Sequence, residues 1–81
     1  MNTDAKIVRR MIREMPLTTA EKILRDNLPT QEYKAIYHCD CVRMTLFDVG
    51  EKILLCSESA VKKCRQRGYK KLSSFYFGKT K

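Results

Sequence analysis

The sequence predicts an all-α protein, a small helical bundle of about five helices with a C-terminal helix-turn-helix. Three observations predict it. Apolar residues recur at helical spacing in successive segments. Pro16, Pro29 and a series of Ser and Thr caps fall between those segments. The charge is also confined. Residues 1–58 hold nine Lys/Arg and nine Asp/Glu, so the formal +8 comes from Lys62, Lys63, Arg65, Arg67, Lys70, Lys71, Lys79 and Lys81. No acid lies in residues 59–81. The basic stretch begins just after Ser57-Glu58-Ser59, which reads as a helix start. A basic helix preceded by a short turn and another compact helix is the plan of a helix-turn-helix.

Thr3 is placed to cap a first helix, with Asp4 at the positive end of its dipole. Ile7, Val8, Met11, Ile12 and Met15 make its apolar stripe, and Lys6, Arg9, Arg10 and Arg13 lie mostly off it. Pro16 stops the helix. The segment reads as an amphipathic helix packed on the domain, or as an arm that meets a partner. A short second helix is expected after Thr18 or Thr19, with Ile23 and Leu24 as its contacts and Asn27-Leu28-Pro29 as its end. Thr30 is expected to cap the third, with Gln31 and Glu32 in its first turn. Tyr33, Ile36 and Tyr37 form one apolar stripe of that helix; Ala35, Cys39 and Val42 form another. A helix apolar on two sides is central to a bundle.

Thr45 begins the fourth helix, with Leu46, Val49 and Ile53 on its inner face and Gly50 beside them. A Gly inside a helix costs about 1 kcal/mol against Ala, so a close approach of the next helix is expected there. Leu54-Leu55-Cys56 makes the turn, and Ser57 or Glu58 starts the fifth helix. On it Val61, Cys64, Gly68 and Leu72 fall on one side; Ser59, Lys62, Lys63, Gln66 and Lys70 fall on the other. Arg67 borders the polar face and Arg65 the buried one. Ser73-Ser74-Phe75-Tyr76-Phe77-Gly78 is expected to close the fold with aromatic contacts, and Lys79-Thr80-Lys81 to fray.

A chain of 81 residues has room for one small domain over residues 1–81. Residues 1–27 are read as N-terminal helices, an interaction or dimerisation arm, and residues 28–77 as the helix-turn-helix part. No apolar run is long enough to cross a membrane, and Met1-Asn2-Thr3-Asp4 lacks a signal-peptide centre, so a cytoplasmic protein with no membrane partner is expected. Cys39, Cys41, Cys56 and Cys64 admit a disulfide framework or, with His38, a zinc site. Nothing points to secretion, and one Cys-x-Cys followed by long gaps is not the two tight pairs of structural zinc. Buried, reduced thiols without metal are expected. His38 and Asp40 beside these thiols do not by themselves position a nucleophile and its base, and the chain has no Gly-rich phosphate loop. No catalytic residue, cofactor or enzymatic activity is expected.

Four motifs in order carry a likeness. They are Leu28-Pro29-Thr30-Gln31-Glu32, Met44-Thr45-Leu46, Ser57-Glu58-Ser59-Ala60-Val61-Lys62 and Arg67-Gly68-Tyr69-Lys70-Lys71-Leu72. With them, residues 28–72 resemble region 4 of bacterial sigma factors, the domain that reads the promoter −35 element. The chain is too short for the other sigma domains. It looks like a stand-alone region 4-like protein, similar to small phage and Gram-positive transcription regulators such as the ArpU-type late-gene activators. Two departures stand out. The family's turn usually contains Gly where this chain has Leu54-Leu55, and the stretch from Gly50 to Val61 is one residue longer than usual. The resemblance implies duplex DNA as partner and a possible contact with RNA polymerase, to be sought in residues 1–43.

The expected function is sequence-directed duplex-DNA binding that regulates transcription, with a recognition helix over 58–74 in the major groove of DNA and the whole motif over 45–74. Lys62, Lys63 and Gln66 project where base edges would lie; Gln pairs with adenine and Lys reaches guanine acceptors. Arg67, Lys70 and Lys71 are expected on phosphates. Ser57 and Ser59 add hydroxyls at a helix N-terminus that favours phosphate, and Thr45 caps the fourth helix and is placed to touch backbone. A homodimer is a further expectation, because one such module reads few base pairs. The rival readings are a protein-interaction module that binds a sigma factor or polymerase with little DNA binding, and an RNA-binding helical protein.

Overall fold

In a computed structural model, described over residues 3–78, the chain forms five helices and no strand among those residues. They are α1 (Thr3–Glu14), α2 (Leu17–Asn27), α3 (Thr30–Ile36), α4 (Leu46–Asp48) and α5 (Glu58–Phe77). α3 continues without a break as a π-helical turn, Tyr37–Cys41, and α4 as a second one, Val49–Leu54. No helix among the described residues is long and apolar enough to cross a membrane. The fraying expected at Lys79-Thr80-Lys81 falls outside the described residues.

The helix boundaries follow proline and cap chemistry, with three corrections. α1 includes Thr3, so Thr3 lies within the helix rather than capping it. α2 starts at Leu17, directly after Pro16, rather than after Thr18 or Thr19. α3 starts at Thr30 itself, after Pro29, so Thr30 is not its cap and no side chain caps it. Proline explains the latter two: its fixed φ suits the helix entry, and it needs no hydrogen-bond donor there. Thr45 and Ser57 are caps as expected. The Thr45 Oγ1 accepts from the Asp48 N–H at 3.0 Å, and the Ser57 Oγ accepts from the Ala60 N–H at 3.2 Å.

Two apolar clusters hold the helices together. The first gathers Ala5, Val8 and Ile12 of α1, Ala20 and Leu24 of α2, Leu28, Ile36 of α3, and Tyr69 and Leu72 of α5. The second gathers Ala35, Cys39, Val49, Val61 and Cys64, with Met44, Leu46, Ile53 and Leu54 packed on it. α3 separates them, as its two stripes require, although Val42 ends exposed rather than in the second stripe. α5 contributes to both, its first half against α4 and its second half against α1 and α3. At the crossing with α3, a Cβ on Gly68 would lie 2.5 Å from Ile36 Cδ1, so the missing side chain sets how closely the two helices pack. Of the closing aromatics only Tyr76 packs on the core; Phe75 and Phe77 are exposed, because α5 runs on to Phe77 and its rotation carries them outward.

α3 and α4 end alike. At the end of α3 the Val42 N–H donates to the Tyr37 carbonyl at 3.0 Å and the Met44 N–H to the His38 carbonyl at 2.9 Å, with Arg43 left-handed at φ 71. At the end of α4 the Cys56 N–H donates to the Gly50 carbonyl at 2.8 Å, with Leu55 left-handed at φ 56. The π winding closes hydrogen bonds over five residues instead of four. The left-handed residue then reverses the chain, a place where Gly is the unstrained choice. Gly50 itself meets the turn rather than the next helix alone: a Cβ there would lie 2.5 Å from the Cys56 carbonyl oxygen and 3.3 Å from Val61 Cγ2.

Candidate nucleic-acid interface

α5 is the longest helix, and its inner side is fixed by the core. Val61, Cys64, Gly68, Tyr69, Leu72 and Ser73 are buried. The opposite side carries Ser59, Lys62, Lys63, Gln66 and Lys70, all exposed. For Val61, Cys64, Gly68 and Leu72 this division is the one that 3.6-residue periodicity requires; Tyr69 and Ser73, seven positions after Lys62 and Gln66, lie in line with those exposed residues and are buried by the helices packed on the second half of α5. Among the described residues no ion pair engages Lys62, Lys63 or Lys70. Their ammonium groups therefore face solvent without a salt bridge.

Arg67 and Lys71 differ. Both flank Glu32 of α3, a buried residue. Lys71 Nζ lies 3.0 Å from Glu32 Oε1 and donates to Oε2 at 3.1 Å; Arg67 Nε lies 3.6 Å from Oε2. The sequence places Glu32 only in the first turn of its helix, and nothing local joins it to a lysine 39 positions away. Arg67 and Lys71 thus tie α5 to α3. A phosphate would compete with Glu32 for them.

On the other flank of α5, Arg65 reaches a second buried carboxylate. Asp40, in the π-helical turn that follows α3, is 1 % exposed. Its Oδ1 lies 3.4 Å from Arg9 Nε and 3.7 Å from Arg65 Nη1, and its Oδ2 accepts a hydrogen bond from the Tyr69 hydroxyl. Burial, and then the charge and hydrogen bond of Asp40, push the Tyr69 hydroxyl well above its ordinary pKa. Two cations and one hydroxyl offset the desolvation of a carboxylate that could not stand alone in the core.

The residues of the Cys-rich segment are spread by the fold. Cys39 and Cys64 are buried, Cys41 is half-buried, and Cys56 is exposed in the α4–α5 turn, which corrects the expectation that all four are buried. No disulfide joins them. Burial pushes the Cys41 thiol up to about 11 and raises that of Cys39 as well, the opposite of what a nucleophile needs. His38 Nδ1 lies 2.8 Å from the Lys34 carbonyl. A carbonyl only accepts, so Nδ1 is the donor there.

The caps place the remaining candidates. Thr45 and Ser57 spend their oxygens on the first turns of α4 and α5; both are exposed, as is Ser59. A small recess of about 220 Å³ lies where Gln31, Leu54, Cys56, Ala60, Lys63, Cys64 and Arg67 meet, between the N-terminal end of α3 and the turn before α5.

No family model, no curated protein and no solved structure matches this chain.

Proposed function

We propose that the protein is a sequence-directed duplex-DNA-binding regulator of transcription. In this reading α4, its turn and α5 act as a helix-turn-helix, and α5 enters the major groove. One observation carries it: the solvent face of α5 presents Ser59, Lys62, Lys63, Gln66 and Lys70 together, with its acidic neighbours absent after Glu58. Lys62, Lys63 and Gln66 meet base edges, and Lys70 meets phosphate. Ser57, Ser59 and Thr45 support phosphate contacts at the helix N-termini. Arg67 and Lys71 contribute to phosphate binding to the extent that DNA draws them from Glu32. The likeness of residues 28–72 to sigma region 4 supports the same reading and adds RNA polymerase as a second partner.

The experiment is affinity for duplex DNA against salt. A Lys62→Ala/Lys63→Ala/Lys70→Ala variant is expected to lose at least tenfold in affinity and to flatten the salt slope by about 0.9 for each phosphate contact removed. Gln66→Ala is expected to relax sequence preference, costing about 1–3 kcal/mol on the preferred site alone. Unchanged affinity in the folded triple variant would end this reading. One feature favours the rival, a protein-interaction module on a sigma factor or polymerase: Leu55 in the α4–α5 turn is 81 % exposed and Phe47 is 53 % exposed.

A further inference from the structure

α5 does not hold the only concentration of cations. Lys6, Arg9, Arg10 and Arg13 of α1 and Arg43 from the α3–α4 connection line an open depression of about 440 Å³, with Glu14 as the single acid on its wall. Lys6, Arg10, Arg13 and Arg43 are exposed. Among the described residues only Arg9 of this set forms an ion pair, with the buried Asp40. The sequence assigns these residues merely to the outer side of an amphipathic helix. The fold brings Arg43, 30 positions from Arg13, onto the same surface. It does so through the left-handed residue that ends the π-helical turn, where Gly would be unstrained and an Arg stands instead.

With Arg9 held by Asp40, four cations beside one wall acid, Glu14, repel one another, and a polyanion relieves that cost. The depression is open rather than enclosed, so it lacks the buried donors that hold a small anion. An extended chain of regularly spaced charges suits it better. No residue of α5 lines the depression. Arg9 on its wall and Arg65, at the edge of the buried face of α5, share the same Asp40 oxygen, which sets the depression beside that edge of α5. A polyanion longer than the depression can extend from it toward α5. We infer that this depression grips the sugar–phosphate backbone of duplex DNA beside the segment that α5 contacts. The inference rests on the reading of α5 as a DNA-contacting helix. It adds a backbone clamp that carries affinity and no sequence preference.

The test uses the full chain and a mixed-sequence duplex about three helical turns long, with affinity measured across a salt series. The variant is Lys6→Gln/Arg10→Gln/Arg13→Gln/Arg43→Gln. Arg9 is left intact because it pairs with Asp40. The variant is expected to bind at least tenfold more weakly and to lose about 2–3 units of salt slope, while its ranking of different DNA sequences stays the same. Arg10→Lys/Arg13→Lys/Arg43→Lys keeps the charge and is expected to keep the slope. If the fourfold variant does not fold, Arg10→Gln/Arg13→Gln is the second variant, with about half the slope change expected. Unchanged slope and affinity in a folded variant would overturn the clamp. So would loss of binding to an acidic peptide with duplex binding intact. The Lys62→Ala/Lys63→Ala/Lys70→Ala variant separates the two readings. If it alone weakens binding, α5 contacts DNA and the clamp is wrong. If the α1 variant alone weakens binding, the depression binds DNA and the role given to α5 is wrong.

Discussion

Asp40 is a carboxylate removed from water, and groups from two other helices hold it: Arg9 from α1, and Arg65 and Tyr69 from α5. The pairing links three helices through one side chain. Tyr69→Phe keeps the ring in the core and deletes only the hydroxyl, leaving Asp40 one donor short. The expected loss is about 1–3 kcal/mol of unfolding free energy. The same site sets an alkaline limit. Tyr69 is held above its ordinary value of 10.0 in the folded chain, so the folded state binds its proton more tightly than the unfolded state does. That contribution is complete below pH 10 and is lost as pH rises beyond it. Cys39, raised above 9.0, and Cys41, pushed up to about 11, act with the same sign from pH 9 upward. Urea unfolding followed by circular dichroism should therefore show a midpoint that is steady near about pH 8 and falls toward about pH 11. In Tyr69→Phe the fall should be shallower. A midpoint constant through that range in the parent chain would contradict the burial of these groups.

The joint between α4 and α5 is the element that sets how α5 is presented. Two residues decide it, and they respond oppositely to substitution. Gly50 sits against the carbonyl of Cys56, a backbone atom that cannot swing away. Gly50→Ala gains about 1 kcal/mol of helix propensity but forces an overpacked contact costing about 1–3 kcal/mol, so a net loss is expected. Leu55 is strained by its left-handed backbone and buries almost nothing. Leu55→Gly should raise stability by about 0.5–1 kcal/mol, because Gly takes that conformation without the steric cost. Chemical unfolding of the two single variants checks both signs. A stabilised Gly50→Ala protein would mean that the turn packs less closely than described.

Across the whole molecule, α3 and α5 each belong to both apolar clusters, so the position of α5 depends on the packing of every other helix. α1 is part of that packing: Val8 and Ile12 are buried, and a charge at Ile12 would attack the core. Ile7, 45 % exposed on the same helix, is the apolar residue left for a partner. Under the DNA-binding function proposed above, self-association through α1 would supply a second half-site, because one such module reads few base pairs. Sedimentation is expected to show concentration-dependent association in the parent chain and a monomer in Ile7→Glu, with helix content unchanged. A parent chain that stays monomeric at all concentrations would exclude this dimer.

The local pattern was enough for the helices themselves. Prolines, caps and 3.6-residue stripes place five helices, and the inner face of α5, Val61, Cys64, Gly68 and Leu72, is the one that periodicity predicts. The same count leaves Lys62, Lys63, Gln66 and Lys70 outside. These are properties of a single helix, set by neighbours three and four positions away. The pairing of Lys71 and Arg67 with Glu32 and of Tyr69 with Asp40 was not legible. These partners are brought together only where α5 crosses α3, and nothing in the spacing of residues 39 or 29 positions apart encodes that meeting. The same holds for Arg43 beside α1, and for the π-helical ends with left-handed Arg43 and Leu55. There the demands of packing on both sides of a short connection overrode the preference for Gly. By itself, therefore, the sequence determined which faces are apolar and which are charged. The tertiary structure decided which charges are held by buried carboxylates and which are left exposed, because that depends on the geometry of helix crossings rather than on the helices alone.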